Sequence, residues 1–251
     1  IFIIPSSMLA YFLFAEMNQR LEDADMQQQG LSYLAPLRAI GEHTAQHRGM
    51  TNAFFGGNTA LKDKILAKRS AVNADYEALL EIDKPYGALL GLGGQSAALS
   101  ERWRSLSSAA FNMDAKQSFT AHSELIADVL EYMHTVADKS KLTTESELGI
   151  HYLFLTLVER LPKQVEALGQ TRGFGAGRAA AQEMSADQRL HLTNLAGGIQ
   201  STNNAFKKAM QIVFESNPEI KKDLNDAFQR AIKSADAFYQ LTEQELITSS
   251  D

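Results

Sequence analysis

The sequence predicts an all-α protein, arranged as two stacked up-and-down four-helix bundles that share one long N-terminal helix. Three observations carry that expectation. No segment alternates apolar and polar residues with period two, while apolar residues recur every three or four positions along most of the 251 residues. Proline is scarce, at five residues, and four of them fall where a helix should start, kink or stop. Between the periodic stretches lie pairs of residues with the spacing of helix caps.

The elements follow in order. The first helix is expected from about Ser6 to Phe55, broken only by a kink at Pro36, and "FFGGN" stops it. A second runs from about Thr59 to Ile82 and ends in "DKPYG". "GLGGQ" reads as a flexible joint, and "SAALSERWRSLSSAA" as a shorter third helix. Asp114 and Gln117 form a cap pair opening the fourth, which runs to about Lys139. Thr144 and Glu147 repeat the capping pattern and open the fifth, "LGIHYLFLTLVERLPKQVEALGQ", which "TRGFGAGR" ends or bends. Ser185 and Gln188 cap the sixth, which reaches "FESN". Asn217, Pro218 and Glu219 supply cap, first-turn proline and first-turn acid for the last, which runs to about Ile247.

Helix lengths set the expected layout. At 1.5 Å per residue the first helix is about 75 Å long, and none of the others matches it. Residues 36–140 should form one bundle and residues 15–35 with 145–248 the other, with residues 1–14 ending a transmembrane helix. Counting up and down through this layout returns the last helix to the start of the first.

Composition excludes several functions. The chain is 45% hydrophobic and carries a net charge of −6 without a basic block, so no nucleic-acid partner is expected. It has no cysteine, hence no disulfide and no thiolate metal site. It opens "IFIIPSSMLAYFLF", an uncharged run short of the roughly twenty residues of a span and without the marks of a signal peptide. That run flows into "AEMNQRLEDADMQQQ", as the outer half of a transmembrane helix continuing outward would. The other reading is a sticky amphipathic end of a soluble bundle.

Candidate site residues cluster in "GEHTAQHRGM", Gly41 to Met50. A heptad count gives Leu37, Ile40, Thr44, His47, Thr51 and Phe54 as the buried seam. His47 lies in it, Arg48 beside it, and His43 one turn earlier. In the fifth helix the seam Phe154, Val158, Leu161, Val165, Leu168 arrives at Arg172. "QHRGMTNAFFGG" and "GQTRGFGAGRAA" echo one another, each with Gln-x-Arg-Gly. An unpaired buried arginine costs several kcal/mol, so each needs a protein carboxylate or an exogenous anion. The plainer alternatives are a snorkelling arginine, a hydrogen-bonded core histidine and a packing role for Gly49. Trp103, between Arg102 and Arg104, is either a cation–π platform or a core cap of its short helix. His43 with His47, and Glu131 with His134, are fragments of metal sites: no second Glu-x-x-His completes a di-iron set, and a haem would rest on one residue type. No cofactor is expected, and no nucleophile–base–acid spacing marks an enzyme.

A helix leaving the membrane, then "GLSYLAPLRAI…QHRGMTNAFFGG", then "HYLFLTLVERLPKQVEALGQTRGFGAG", resembles the extracytoplasmic sensor regions of bacterial transmembrane receptors. It is similar to their all-helical kinds, the nitrate- and nitrite-sensing type and the helical bimodular type of chemoreceptors. The resemblance implies a periplasmic module of an inner-membrane receptor, with a methyl-accepting chemotaxis output or else a histidine kinase or diguanylate cyclase. It also implies a small-molecule ligand. Arginines hold a small anion in the nitrate type, and Arg48 and Arg172 match them, although the stacked layout puts those two at opposite ends. The expected ligand residues are therefore His43, His47, Arg48, Trp103 and Arg104 in the distal bundle, with a second pocket at Arg172. A homodimer is expected. The alternative is a helical module that reads another periplasmic protein.

Overall fold

A computed structural model describes residues 3–145 and 147–247, and every described element is helical. Helix α1 runs unbroken from Ile3 to Phe55, through Pro36. After a 3-10 turn at Thr59–Leu61 come α2 (Lys62–Tyr86), α3 (Gln95–Ala109) and α4 (Ala115–Lys139). The "GLGGQ" joint needs its glycines: Gly91, Gly93 and Gly94 all have positive φ, which side-chain-bearing residues avoid. The expected fifth helix is two segments, α5 (Leu148–Leu155) and α6 (Leu161–Ala181), joined by a π turn at Thr156–Arg160. The chain ends with α7 (Ala186–Ser216), α8 (Pro218–Thr242) and a π turn at Glu243–Ile247.

The caps explain most boundaries. Asp114 with Gln117, and Ser185 with Gln188, close reciprocal capping boxes on α4 and α7. Asn217 caps α8 by accepting from the Ile220 N–H, with Pro218 in its first turn. The Thr144–Glu147 box does not form. Lys141 takes a left-handed turn into a 3-10 turn at Leu142–Thr144, and the Thr144 hydroxyl donates to Lys141 O, so Glu147 stands at the cap with no side-chain bond. "TRGFGAGR" does not end its helix either. Helix α6 continues through it to Ala181, and Gln182 makes the left-handed stop.

The four helices α1–α4 form an up-and-down bundle. Tyr33 bonds Asp83 and His43 meets Asp75, so α2 runs antiparallel to α1. Ser96 meets Tyr132, pairing α3 with α4, and His47 meets His122, pairing α4 with α1. Leu37, Ile40, Val72, Leu79, Trp103, Val129 and Val136 fill its core. A second core, around Phe206, Met210, Val213, Phe214 and Ile232, joins α7 to α8 and to α5.

The second set of helices uses a different part of α1 from the one expected. The first turns of α1, from Ile4 to Glu22, are exposed, and α6 packs on the half after Pro36. Arg48 reaches Glu166 and Asn52 reaches Gly173, while Gly56 lies against Gly177, so α6 runs parallel to α1. The physical reason is where α4 ends. It descends only to the level of Gly30, where Ser140 packs, and α5 turns back up from there. Helix α7 then descends and α8 rises, and Arg189 donates to Leu246 O and Ile247 O. Leu246 lies against Gly175 of α6, so the end of α8 sits beside the second half of α1 and not beside Ile4 as the up-and-down count required.

Candidate functional site

The seam read from the sequence is buried as expected: Leu37, Ile40, Thr44, His47 and Thr51 are enclosed, with Phe54 half-buried. His47 is held by a chain of hydrogen bonds. His122 Nδ1 lies 2.6 Å from Ser118 O, which can only accept, so this nitrogen carries the proton. The His122 Nε2 then accepts from His47 Nδ1–H at 2.8 Å. Burial is the main cause that depresses both histidines, His47 to about 3 and His122 to about 4; His122 and Arg69 lower His47 further, while the bond to Ser118 O offsets part of the fall at His122. Both are neutral at neutral pH. The His47 ring stands edge-on to Trp103, with centroids 5.1 Å apart.

Arg48 is the one cation among the largest fully buried side chains. Its guanidinium is matched on every side but one. Nη1 donates to Glu166 Oε1 at 2.5 Å and Nη2 to Oε2 at 3.1 Å, a two-pronged pairing. Nη1 also donates to Ser123 Oγ at 2.9 Å, and the Phe119 ring centroid lies 5.0 Å from Cζ. The Nε–H is buried and has no acceptor among the described residues. The carboxylate partner that a buried arginine requires is thus Glu166, and Gln170 Nε2 donates to the same carboxylate at 2.8 Å.

The two Arg-Gly motifs meet. A Cβ built on Gly49 would lie 3.6 Å from Gly173 Cα, and Asn52 Nδ2 donates to Gly173 O at 2.9 Å. The expectation that Arg48 and Arg172 occupy opposite ends is therefore corrected. The reason is the parallel packing of α6 on the second half of α1.

Arg172 itself is not in the core stripe. The π turn at Thr156–Arg160 inserts one residue into the helix, which rotates everything after it. The seam expected at Val165, Leu168 and Arg172 moves on by one, to Glu166, Gly169 and Gly173, and these are the residues that face α1. Val165 and Arg172 are exposed in consequence. Arg172 turns outward, into clefts it shares with Gln46, Gln164 and Ala235 on one side and with Gln46, Asn58 and Lys68 on the other. No hydrogen bond or ion pair holds it among the described residues.

The remaining candidates scatter. His43 Nδ1 is 2.6 Å from the Asp75 carboxylate, on the α2 side of α1. Trp103 is fully buried and donates Nε1–H to Asn73 Oδ1 at 2.7 Å, so it caps the core of its helix and stacks on no arginine. Arg104 is exposed and pairs with Glu101 at 3.8 Å, outside the cluster. Sequence reasoning missed His122, Ser123, Phe119 and Glu166. His122 was findable as the buried phase of α4, four residues after Ser118. Glu166 was hidden by the π turn. Among the described residues, no three His, Cys, Asp or Glu side chains gather in a metal-binding group.

A family model described as nitrate and nitrite sensing matches residues 42–250. The match begins one residue after Gly41 and takes in both Arg-Gly motifs. No curated protein and no solved structure matches the chain.

Proposed function

Because this chain belongs to the nitrate and nitrite sensing family, we propose that it is the ligand-reading region of a bacterial receptor and that its ligand is a small planar oxyanion read where the two Arg-Gly motifs meet. Membership makes it a sensing domain. The observation that carries the site is the meeting of Arg48-Gly49 with Arg172-Gly173 across two parallel helices. Arg48 supplies a buried, rigid fork, and Arg172 a free cation at the mouth of the neighbouring clefts. Nitrate and nitrite are planar monoanions, and a guanidinium fork matches two of their oxygens with two parallel N–H bonds. Out of water such a pairing is strong, because no solvent competes for the donors.

The seam also suits a signal. Gly169, Gly173 and Gly177 bring the two helices close, and Arg48 and Asn52 are the side chains that hydrogen-bond across, so a shift of an ångström or two between them has few bonds to rearrange. A ligand that binds one of the two positions better shifts the population toward it. Helix α1 carries the shift downward as one unbroken rod. Its start exposes Ile4, Leu9, Phe12, Leu13 and Phe14, which supports an entry into the membrane there, with the domain in the periplasm and a second copy of the chain beside it. Among the described residues no helix is long and apolar enough to cross a membrane. A chemotaxis receptor is the first output this reading assigns, with a histidine kinase or diguanylate cyclase as the alternatives.

Thermal unfolding tests the reading directly. Sodium nitrate and sodium nitrite, titrated against sodium chloride at constant ionic strength, should raise Tm, by mass action on the native state. Arg48→Ala should abolish the gain and Arg172→Ala should weaken it. An unchanged Tm at millimolar nitrate and nitrite would refute the anion site. Co-purification of a periplasmic protein in that case would favour the partner-reading alternative.

A further inference from the structure

We propose that the Glu166 carboxylate is a built-in occupant of the anion position on Arg48, and that the sensed anion binds by displacing it. The inference rests on the anion-sensing reading and specifies how that site is regulated. Four observations carry it.

The Arg48 side chain has no exposed surface, so its charge must be met by an anion in every populated state, and water cannot substitute. Glu166 meets it with the geometry a planar oxyanion would use. Two oxygens of one flat, delocalised group face Nη1 and Nη2 in parallel. A carboxylate and a nitrate present this fork alike, so one can replace the other without moving the guanidinium.

The pairing is incomplete on one edge. Arg48 Nε–H is buried with no acceptor among the described residues, next to a fork already filled at its far end. Glu166 has only two oxygens and spends both on the terminal nitrogens. A free oxyanion is not tied to a helix and can turn to cover the Nε edge, and Gln170 Nε2, which donates to the Glu166 carboxylate, stands close enough to donate to its replacement.

Glu166 has somewhere to go. Unlike Arg48 it keeps some exposure, 13% of its side chain. It lines the rim of a cavity of about 360 Å³ between α1, α4 and α6, whose walls include Leu37, Ile126, Met133 and Leu161. Arg38 and Glu42 line the same cavity, already paired with each other at 3.2 Å and partly in solvent. A released carboxylate therefore reaches water and need not be buried unpaired.

Position makes the exchange informative. Glu166 belongs to α6 and Arg48 to α1, and beyond the pair the helices meet at Gly173 and Gly177, where Asn52 is the side chain that crosses. Displacing Glu166 removes a direct bond between them. The internal pair holds the ligand-free arrangement, and the external anion releases it.

The test is calorimetric titration of sodium nitrate into wild type, Glu166→Gln, Glu166→Asp and Arg48→Ala, at constant ionic strength in chloride. Removing the competing charge should tighten nitrate binding about tenfold in Glu166→Gln, or 1.4 kcal/mol. Without nitrate this variant should melt below wild type, because its buried Arg48 is under-compensated, and nitrate should close most of that gap. Glu166→Asp, a carboxylate one methylene short of the fork, should fall between the two and serves if the glutamine variant does not fold. Wild-type binding with equal or weaker affinity in both Glu166 variants would overturn it and leave the anion site standing. Absence of nitrate binding in every form would overturn both.

Discussion

Replacing Gly177 with alanine should destabilise the domain, whereas the same change at Gly49 should not, although both glycines lie on the α1–α6 seam. A Cβ on Gly177 would lie 2.7 Å from Asn52 Cγ and closer still to Nδ2, well inside contact distance. Asn52 is buried and cannot swing into solvent without giving up its bond to Gly173 O. Loss of that bond with the groups still buried costs about 1–3 kcal/mol, and forced repacking costs a similar amount. Alanine regains about 1 kcal/mol of helix propensity. The balance is a loss of about 1–5 kcal/mol, or roughly 2–20 °C in Tm at this chain length. On Gly49 a Cβ meets only Gly173 Cα, at an ordinary 3.6 Å, so propensity prevails and Tm should rise by a few degrees. Urea unfolding followed by helical circular dichroism gives both values on one scale. A Gly177→Ala protein as stable as wild type, or a Gly49→Ala protein that loses as much as Gly177→Ala, would refute the close parallel packing of the two helices.

Acid should weaken the fold through the buried histidine pair. Both rings sit below the ordinary value near 6.5, at about 3 and about 4, so between those limits the unfolded chain binds protons that the native chain refuses. Their contribution is present in full above about pH 6.5 and is lost as pH falls, with a slope of up to about 2.7 kcal/mol per pH unit for two protons. Urea midpoints at pH 7 and pH 4.5 should converge in a His47→Leu/His122→Leu double variant more than in wild type. Gly197→Ala and Gly198→Ala, in the middle of α7 with nothing within 4 Å of either added Cβ, should each stabilise by about 0.5–1 kcal/mol in the same assay. Trp103, the sole tryptophan, is buried edge-on to His47, the neighbour of Arg48 in the chain. Its fluorescence should therefore change on nitrate addition in wild type and stay constant in Arg48→Ala.

Local signals in the sequence located most helices well, because their causes are local. A cap pair such as Asp114 with Gln117 satisfies orphan backbone groups within one turn, and the seam through Leu37, Ile40 and His47 is a property of one helix. What failed depends on events between helices. Thr144 and Glu147 had the right spacing, but the chain spends those residues on the tight turn from α4 to α5. The path of α6 could not be read from lengths alone, since three helices of that size fit either half of α1. The π turn then moved the inward face by one residue, which exchanged Arg172 for Gly173 and brought Glu166 into the site. One signal was present and misread. Gly169, Gly173 and Gly177 recur at every fourth position, which in a helix lines one face. Taken as breakers, they suggested an end to the helix. Taken as a face, they mark where another backbone comes close.

That face changes which residues matter for sensing. Two helices in contact through glycine are held in register by the few side chains that cross between them, here Asn52 to the Gly173 carbonyl and Arg48 to Glu166. Asn52 donates to backbone, so its bond reports only that the helices are close. Arg48 instead binds a charge that an external anion can replace, so its bond depends on composition outside the protein. The echo of the two Arg-Gly motifs then has a division of labour. Gly173 removes the side chain that would press on Phe119 and on Gly49, Arg48 crosses between the helices, and Arg172 stands where an arriving anion first meets the protein.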